Sequence, residues 1–159
     1  TDSLGRFTFA TAPTGTGLVL DVSGAGIARS AMPYDPMRFA RLPAPTEAHW
    51  DDVQAAGGLF IPDGRGTLAA RIQRDGEPVE MAVVETEPDP ASAPIYDGAT
   101  AIAWSFTDTG EFGLAIAAGI VEGPTALQIL DGATSSVAAP IPVREATITF
   151  VTVALNPAS

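Results

Sequence analysis

The chain has 159 residues, a formal net charge of −11 and no cysteine, and its eight basic residues are all arginine. A chain of this length can bury a core of its own, so residues 1–159 are predicted to form a single domain. Nucleic acids and anionic membranes are not expected as partners, because binding them requires a basic surface. The absence of cysteine excludes disulfides, thiolate nucleophiles and cysteine-ligated metals.

Charged residues make up only 17% of the chain, against roughly 25% in an average globular domain. This is typical of an assembly protein whose surface is largely buried in contacts, although a bias towards alanine and glycine would also produce it. No apolar run approaches the ~20 residues of a membrane-spanning helix, so membrane insertion is not expected. The start at Thr1 suits a cytoplasmic protein that has lost its first methionine, and a mature secreted chain would look the same.

Glycine and proline recur along the chain and separate short runs of alternating apolar residues, the pattern of an all-β sandwich or barrel. The first predicted strands lie over residues 5–9 and 18–22. Residues 30–48 contain four prolines and are predicted to form a long irregular loop. A short helical turn is expected from His49 to Ala56.

Residues 67–83 have the pattern of a β-hairpin with one buried face. Asp75-Gly76 lies between its two strands and favours the left-handed dihedrals that a two-residue hairpin turn requires. The buried face is predicted to comprise three apolar residues from each strand: Leu68, Ala70, Ile72, Val79, Met81 and Val83.

A second proline-rich loop is predicted over residues 86–98, and a second hairpin follows it. The hairpin is expected to place six apolar residues in the core: Ile102, Trp104, Phe106, Phe112, Leu114 and Ile116. Further strands are predicted over residues 126–130 and 146–155, which gives about eight strands and little helix.

The last of these strands is apolar on both faces. Ile148 and Phe150 fall on one face, and Val151 and Val153 fall on the other. Burial on both faces would suit a strand at the centre of a sandwich that also touches a neighbouring subunit. These four residues are the candidate oligomer interface.

The sequence offers little catalytic chemistry. His49 is the only histidine, so a catalytic triad or a histidine metal site would depend on it and on the adjacent Asp51 and Asp52. The acidic run over residues 85–89 lacks the ligand spacing of a calcium loop, and Gly24-Ala25-Gly26 lacks the third glycine and the helix of a dinucleotide site. We interpret the His49 segment as a helical turn, residues 85–89 as a solvated loop and Gly24-Ala25-Gly26 as a glycine turn. No enzyme activity, cofactor or metal is predicted.

Three aromatic residues fall in predicted loops: Tyr34, Trp50 and Tyr96. Aromatic side chains in loops can stack on a ligand such as a sugar, or can hold a long loop against the domain. These three are the candidate contacts for a ligand or a receptor.

The segment Gly58–Gly64 (GLFIPDG), followed by a strand and by Arg74–Pro78 (RDGEP), resembles the jelly-roll domains of the complement globular-head and tumour-necrosis-factor superfamily. Variants of these domains occur in bacteriophage virion proteins. Gly110–Phe112 and the apolar strand over residues 147–155 match a later strand pair and the last strand of that family. The resemblance implies an antiparallel jelly-roll β-sandwich of about eight to ten strands, a compact trimer and a binding role.

The favoured hypothesis is a non-enzymatic assembly protein, located in the virion of a bacteriophage or in a phage-like particle. It would be a homotrimeric capsid decoration, head spike or fibre tip, with the proline-rich loops contacting capsid protein or a host-surface glycan. The alternative is an extracellular carbohydrate-binding or adhesive β-sandwich module. A small cupin-like metal enzyme is less favoured, because it would require several histidines.

Overall fold

The computed structural model describes residues 19–33, 42–98, 103–132 and 134–156, and the predicted strand over residues 5–9 lies outside them. These ranges contain eleven strands and one helix. In chain order they are β1 Val19–Gly24, β2 Ile27–Pro33, α1 Glu47–Gly57, β3 Arg65–Arg74, β4 Glu77–Pro78, β5 Ala82–Glu87, β6 Ile95–Asp97, β7 Trp104–Ser105, β8 Leu114–Val121, β9 Gly123–Asp131, β10 Thr134–Val143 and β11 Ile148–Leu155.

The strands form two sheets that pack as a sandwich. The large sheet has the order β1-β2-β11-β3-β8-β6-β7, with β4 paired to β3, and the small sheet has the order β10-β9-β5. The prediction of an all-β sandwich with little helix is confirmed. Buried side chains from both sheets make the core, among them Leu68, Ile72, Val84, Tyr96, Ile120, Leu127, Ile129 and Val143. An ion pair between Arg74 and Asp131 also joins the end of β3 to the end of β9.

The central strand β11 runs parallel to both of its neighbours, β2 and β3. It pairs with β3 along its whole length, from Ile148 opposite Thr67 to Leu155 opposite Arg74. A jelly roll is built from antiparallel neighbours. The strand order therefore does not confirm the jelly-roll topology that the resemblance implies.

The predicted hairpin at Asp75–Gly76 forms its turn but not its second strand. Both turn residues have the expected positive φ, of 54° and 89°. However, β4 is only two residues long, and Met81 then adopts a second left-handed conformation, with φ 61° and its side chain 73% exposed. This changes the alternation, so that Ala82 and Val84 are buried and β5 pairs with β9 of the small sheet. The prediction that Met81 continues the buried face is wrong, whereas Val83 is half-buried and packs against the core.

The second predicted hairpin does not form. β7 has two residues and pairs with β6, whereas β8 pairs with β3 and β6. Phe106 is 64% exposed rather than buried, and Ile102 lies outside the described residues. The reason is that Asp97 and Thr109 fix residues 106–113 as a loop by hydrogen bonds to its backbone and to β5.

The proline-rich segments are shorter than predicted. Within residues 30–48, the first four belong to β2 and the last two to α1, while 34–41 lie outside the described residues. Residues 88–94 are irregular as expected, but both flanks of the 86–98 segment are strands. The predicted helical turn is confirmed as α1, which begins after Thr46, whose Oγ1 accepts the His49 N–H, and ends at Gly58 with φ 61°.

Candidate functional site

The large sheet has one face turned away from the small sheet, and nine residues of its central strands lie on that face. Strand register places them in three rows across β11, β3 and β8. Their neighbours on the same strands, such as Leu68, Ala70 and Val151, belong to the core or pack against it. We call the nine residues the outer face: Ile148, Thr67 and Ala118 in row one, Phe150, Ala69 and Ile116 in row two, and Thr152, Arg71 and Leu114 in row three.

Exposure increases from row one to row three of the outer face. All residues of row one are 3% exposed or less, whereas Leu114 in row three is 36% exposed and Arg71 and Thr152 are also exposed. Helix α1 and the chain that follows it explain this, because Trp50 and Ile61 line a cleft that also contains Ile148 and Thr67 of row one. In row two, Phe150 and Ala69 are half-buried. The outer face is therefore covered at one end and exposed at the other.

The four candidate interface residues separate into three environments. Val151 and Val153 pack against the core, so they point towards the small sheet. Ile148 is 3% exposed and lines a cleft beside α1, so it is not available to a neighbouring subunit. Only Phe150 keeps part of its side chain exposed on the outer face.

A buried carboxylate fixes the backbone that enters row three. Asp97 is 6% exposed, and its Oδ1 accepts the N–H groups of Gly110 at 3.1 Å and Leu114 at 2.7 Å. Its Oδ2 accepts the N–H of Phe112 at 2.6 Å. Phe112 is 40% exposed. The exposed side chains of Phe112 and Leu114 therefore both extend from backbone that Asp97 holds in place.

Thr109 fixes the same loop to β5. Its Oγ1 donates to the Val79 carbonyl at 2.7 Å and accepts the Ala82 N–H at 2.9 Å. The Thr109 carbonyl accepts the N–H of Met81 at 2.7 Å. The exposed side chain of Met81 is thus also held by a rigid backbone at this end of the sandwich.

A cleft of about 470 Å³ lies between α1, the β1–β2 turn and the start of β11. We call it the α1 cleft. One face of the helix lines it with Glu47, Trp50, Asp51 and Gln54, which have the i, i+3, i+4, i+7 spacing of one helical stripe. Row one supplies Ile148 and Thr67 to the floor, and Arg29 and Arg65 lie on the other sides.

Backbone hydrogen bonds hold the walls of the α1 cleft together. The N–H of Ala28 donates to the Pro45 carbonyl at 2.9 Å, and the N–H of Glu47 donates to the Gly26 carbonyl at 3.0 Å. These bonds attach the start of α1 to the β1–β2 turn. On the opposite side, the N–H of Ala146 donates to the Arg65 carbonyl at 2.9 Å.

The charges around the α1 cleft are unevenly distributed. Arg29 Nη2 donates to Asp21 Oδ2 at 2.9 Å, and this hydrogen bond, with the charge of Asp21, raises the pKa of Arg29. Arg65 Nη1 donates to the Gly119 carbonyl at 2.9 Å. Asp21 also pairs with Arg144 at 3.2 Å. Two carboxylates, Glu47 and Asp51, and two guanidinium groups therefore line the cleft, and the carboxylates lie on α1 beside Trp50.

The three candidate contact aromatics fall in different places. Trp50 is half-buried and lines the α1 cleft, and Tyr34 lies outside the described residues. Tyr96 is 3% exposed in β6, where its hydroxyl accepts the Val84 N–H at 3.1 Å and burial raises its pKa. The expectation that Tyr96 lies in an exposed loop is wrong, because the strand Ile95–Asp97 directs its side chain into the core.

His49 and the acidic run have no converging partners in the described ranges. His49 is exposed in the first turn of α1, and no three His, Asp or Glu side chains in these ranges approach closely enough to hold a metal ion. Glu85, Glu87 and Asp89 line a groove of about 640 Å³ beside the small sheet. None of the helical structure described is long and apolar enough to span a membrane.

No family model matches the chain, and no curated protein matches its sequence. The likeness to the complement globular-head and tumour-necrosis-factor superfamily therefore remains a resemblance of turn and strand motifs. The outer face and the α1 cleft are the two features from which a function can be inferred.

Proposed function

We propose that the chain is a non-enzymatic assembly protein that forms a homotrimer in a bacteriophage or phage-like particle, as a capsid decoration, head spike or fibre tip. The observation that supports this most directly is the exposed end of the outer face. Leu114 is exposed in row three, and Phe150 and Ala69 are half-buried in the adjoining row two, so the three lie on three adjacent strands. Contiguous apolar side chains at a protein surface mark sites of association.

The outer face also suits contact between chains that repel one another. Each chain has a net charge of −11, so copies are driven apart unless salt screens them or their contact surface carries little charge. Arg71 is the only charged residue among the nine of the outer face. Burying a Phe or Leu side chain contributes about 1.5–3 kcal/mol, so a few such residues from each chain can outweigh the screened repulsion.

The particle context rests on the resemblance to domains that occur in virion proteins, and the partner surfaces follow from the loops. Residues 88–94 form an irregular segment with prolines, beside the acidic side chains of Glu85 and Glu87. Proline lowers the entropy that a loop loses when it becomes ordered on a partner. We propose that this segment contacts the capsid lattice or the host surface.

The mass in solution tests the trimer. Light scattering on a size-exclusion column is expected to give three times the 16.3 kDa of one chain, with more trimer at high salt than at low salt. Leu114→Glu is expected to give a monomer, because it places a charge on the exposed end of the outer face. Val137→Glu is the matched control, since Val137 is 68% exposed on the small sheet.

Two results would contradict the proposal. One is a monomer of wild-type protein at every salt and protein concentration. The other is equal dissociation by Leu114→Glu and Val137→Glu while both variants unfold at the wild-type temperature. The second result would place the contact surface away from the outer face.

A further inference from the structure

We infer that the α1 cleft is a binding site for an uncharged saccharide, with a pyranose ring stacked on Trp50 and its hydroxyls bonded to Asp51 and Gln54. This site is separate from the exposed end of the outer face and goes beyond the assembly function. It would give a particle component, or a free module, a specific contact with a neutral glycan.

The first observation is the polarity of the helix face that lines the cleft. A helix packed on a sheet normally turns an apolar stripe towards it. Here the residues of α1 that line the cleft are Glu47 and Asp51, which are exposed, and Trp50 and Gln54, which are half-buried, and Gly57 is the only buried residue of the helix. Polar groups are costly to bury without partners, so this stripe suits a space occupied by water or by a hydroxylated ligand.

The second observation is the combination of one aromatic ring with acceptors and donors. The indole of Trp50 offers an apolar face, and the apolar faces of sugar rings pack on such surfaces. The Asp51 carboxylate accepts hydrogen bonds, and the Gln54 amide both accepts and donates them. The volume of about 470 Å³ lies within the range of small-ligand sites.

The charges of the α1 cleft select among polar ligands. Glu47 and Asp51, which lie on α1 beside Trp50, repel carboxylate, phosphate and sulfate groups from the ring position. The two arginines of the lining are engaged elsewhere, Arg29 by Asp21 and Arg65 by the Gly119 carbonyl. An anionic sugar or a nucleotide would therefore bind less well than a neutral sugar of the same shape. A cationic peptide would form ion pairs with the carboxylates of Glu47 and Asp51, but it would place no sugar ring on the indole of Trp50.

The backbone around the α1 cleft is preorganised. Ala146 lines the cleft with φ 49°, a left-handed conformation that is strained for alanine, and its N–H is bonded to Arg65. Strained residues of this kind are enriched at binding sites, where the surrounding structure enforces them. A site with fixed walls loses little entropy when its ligand binds.

The test uses the fact that the chain has two tryptophans, Trp50 and Trp104. In Trp104→Phe, the remaining fluorescence reports on the α1 cleft. We would titrate this variant with glucose, galactose, mannose, N-acetylglucosamine and their short oligosaccharides, and in parallel with glucuronic acid, N-acetylneuraminic acid and an arginine-rich peptide. We expect a saturable blue shift with at least one neutral sugar and about tenfold weaker binding of its acidic counterpart.

A matched pair of variants localises the site. Asp51→Ala is expected to weaken the sugar about tenfold, because it removes a hydrogen-bond acceptor, while Asp52→Ala, which removes a carboxylate outside the cleft lining, leaves binding unchanged. Asp51→Asn removes one negative charge, so the ratio between the dissociation constants of the acidic and the neutral sugar is expected to decrease. The thermal unfolding temperature of each variant shows whether the fold is intact.

Three outcomes would overturn the inference. They are the absence of a saturable shift with any neutral sugar up to about 20 mM, tighter binding of the acidic sugars or of the peptide, and equal effects of Asp51→Ala and Asp52→Ala. The same titration on the Trp104→Phe, Leu114→Glu double variant separates the two proposals. Sugar binding by a monomer would support the α1 cleft whatever the assembly state.

Discussion

The Asp97 carboxylate is predicted to be the main support of the loop over residues 106–113. It accepts three backbone N–H groups, from Gly110, Phe112 and Leu114, and it is 6% exposed. Replacing it by asparagine keeps the size and shape of the side chain. The substitution therefore tests the hydrogen bonds of the carboxylate rather than its packing.

The magnitude follows from how the three bonds divide between the two oxygens. If the asparagine oxygen takes the place of Oδ1, it keeps the bonds from Gly110 and Leu114, and its NH₂ group faces the N–H of Phe112. If the amide is turned over, only the Phe112 bond survives, so the first arrangement is preferred. A bond to a charged group contributes ~1.5–3 kcal/mol, and a buried donor left without an acceptor costs ~1–3 kcal/mol. We expect Asp97→Asn to lose roughly 3 kcal/mol of unfolding free energy.

Urea unfolding followed by circular dichroism measures this loss as a lower midpoint with an unchanged slope. Thermal unfolding is expected to shift down by roughly 6–12 °C for a domain of this size. Asp75→Asn is the matched control, because Asp75 is an exposed turn residue with φ 54° and asparagine tolerates that conformation. An Asp97→Asn protein as stable as the control would refute the assigned role of this carboxylate.

Three further changes have expected signs in the same urea assay. Ala146→Gly relieves a left-handed alanine and should raise stability by about 1 kcal/mol, and a loss instead would mean that the alanine methyl makes a needed contact. Thr125→Val removes a buried hydroxyl that has no hydrogen-bond partner among the described residues, so it should raise the free energy of unfolding by about 1 kcal/mol, and a lower midpoint would contradict this. Burial raises the pKa of Tyr96 above 10.0, so the folded chain keeps a proton that the unfolded chain loses, and stability should fall as the pH rises above 10.0. Tyr96→Phe removes the hydrogen bond to Val84 and should lower the free energy of unfolding by about 1 kcal/mol near neutral pH. Its stability should then decrease less at alkaline pH than that of the wild type. An equal decrease in both proteins would exclude Tyr96 as its source.

Local patterns predicted turns and buried strand faces better than they predicted strand partners. The alternation of Leu68, Ala70 and Ile72 and the Asp75–Gly76 turn depend on neighbouring residues, and the structure has both. The partner of β5 depends on the left-handed Met81, a conformation that its sequence does not signal. At Met81 the chain passes from β4 of the large sheet to β5 of the small sheet.

Strand β10 shows a different limit of sequence reasoning. Its residues, TSSVAAPIPV, are small or polar at the start and include two prolines near the end. Neither feature gives the alternation of a half-buried strand. Proline is tolerated because β10 is an edge strand, where some backbone N–H groups need no partner within the sheet. The edge position is a property of the whole fold.

The candidate sites were predicted only in part. Trp50 was selected as an aromatic outside the predicted strands, and the structure places it in the α1 cleft. The spacing of Glu47, Asp51 and Gln54 around it could have been read as one helical stripe. The sequence could not show that this stripe lines a cleft, because periodicity identifies a helix face without saying what lies opposite it. Phe150 was found on the outer face, but the burial of Ile148 required knowledge of where α1 lies.

Both proposed surfaces arise from the partial cover that α1 gives to the outer face. An eleven-residue helix is too short to cover one face of an eight-stranded sheet, so row one is buried while row three stays exposed. The α1 cleft lies at row one, and Leu114 lies four residues from Ala118 along β8, which is about 13 Å in an extended strand. Substitutions separated by more than about 10 Å usually act independently. A change at Leu114 can therefore abolish assembly without altering the α1 cleft, and each proposal can fail without removing support for the other.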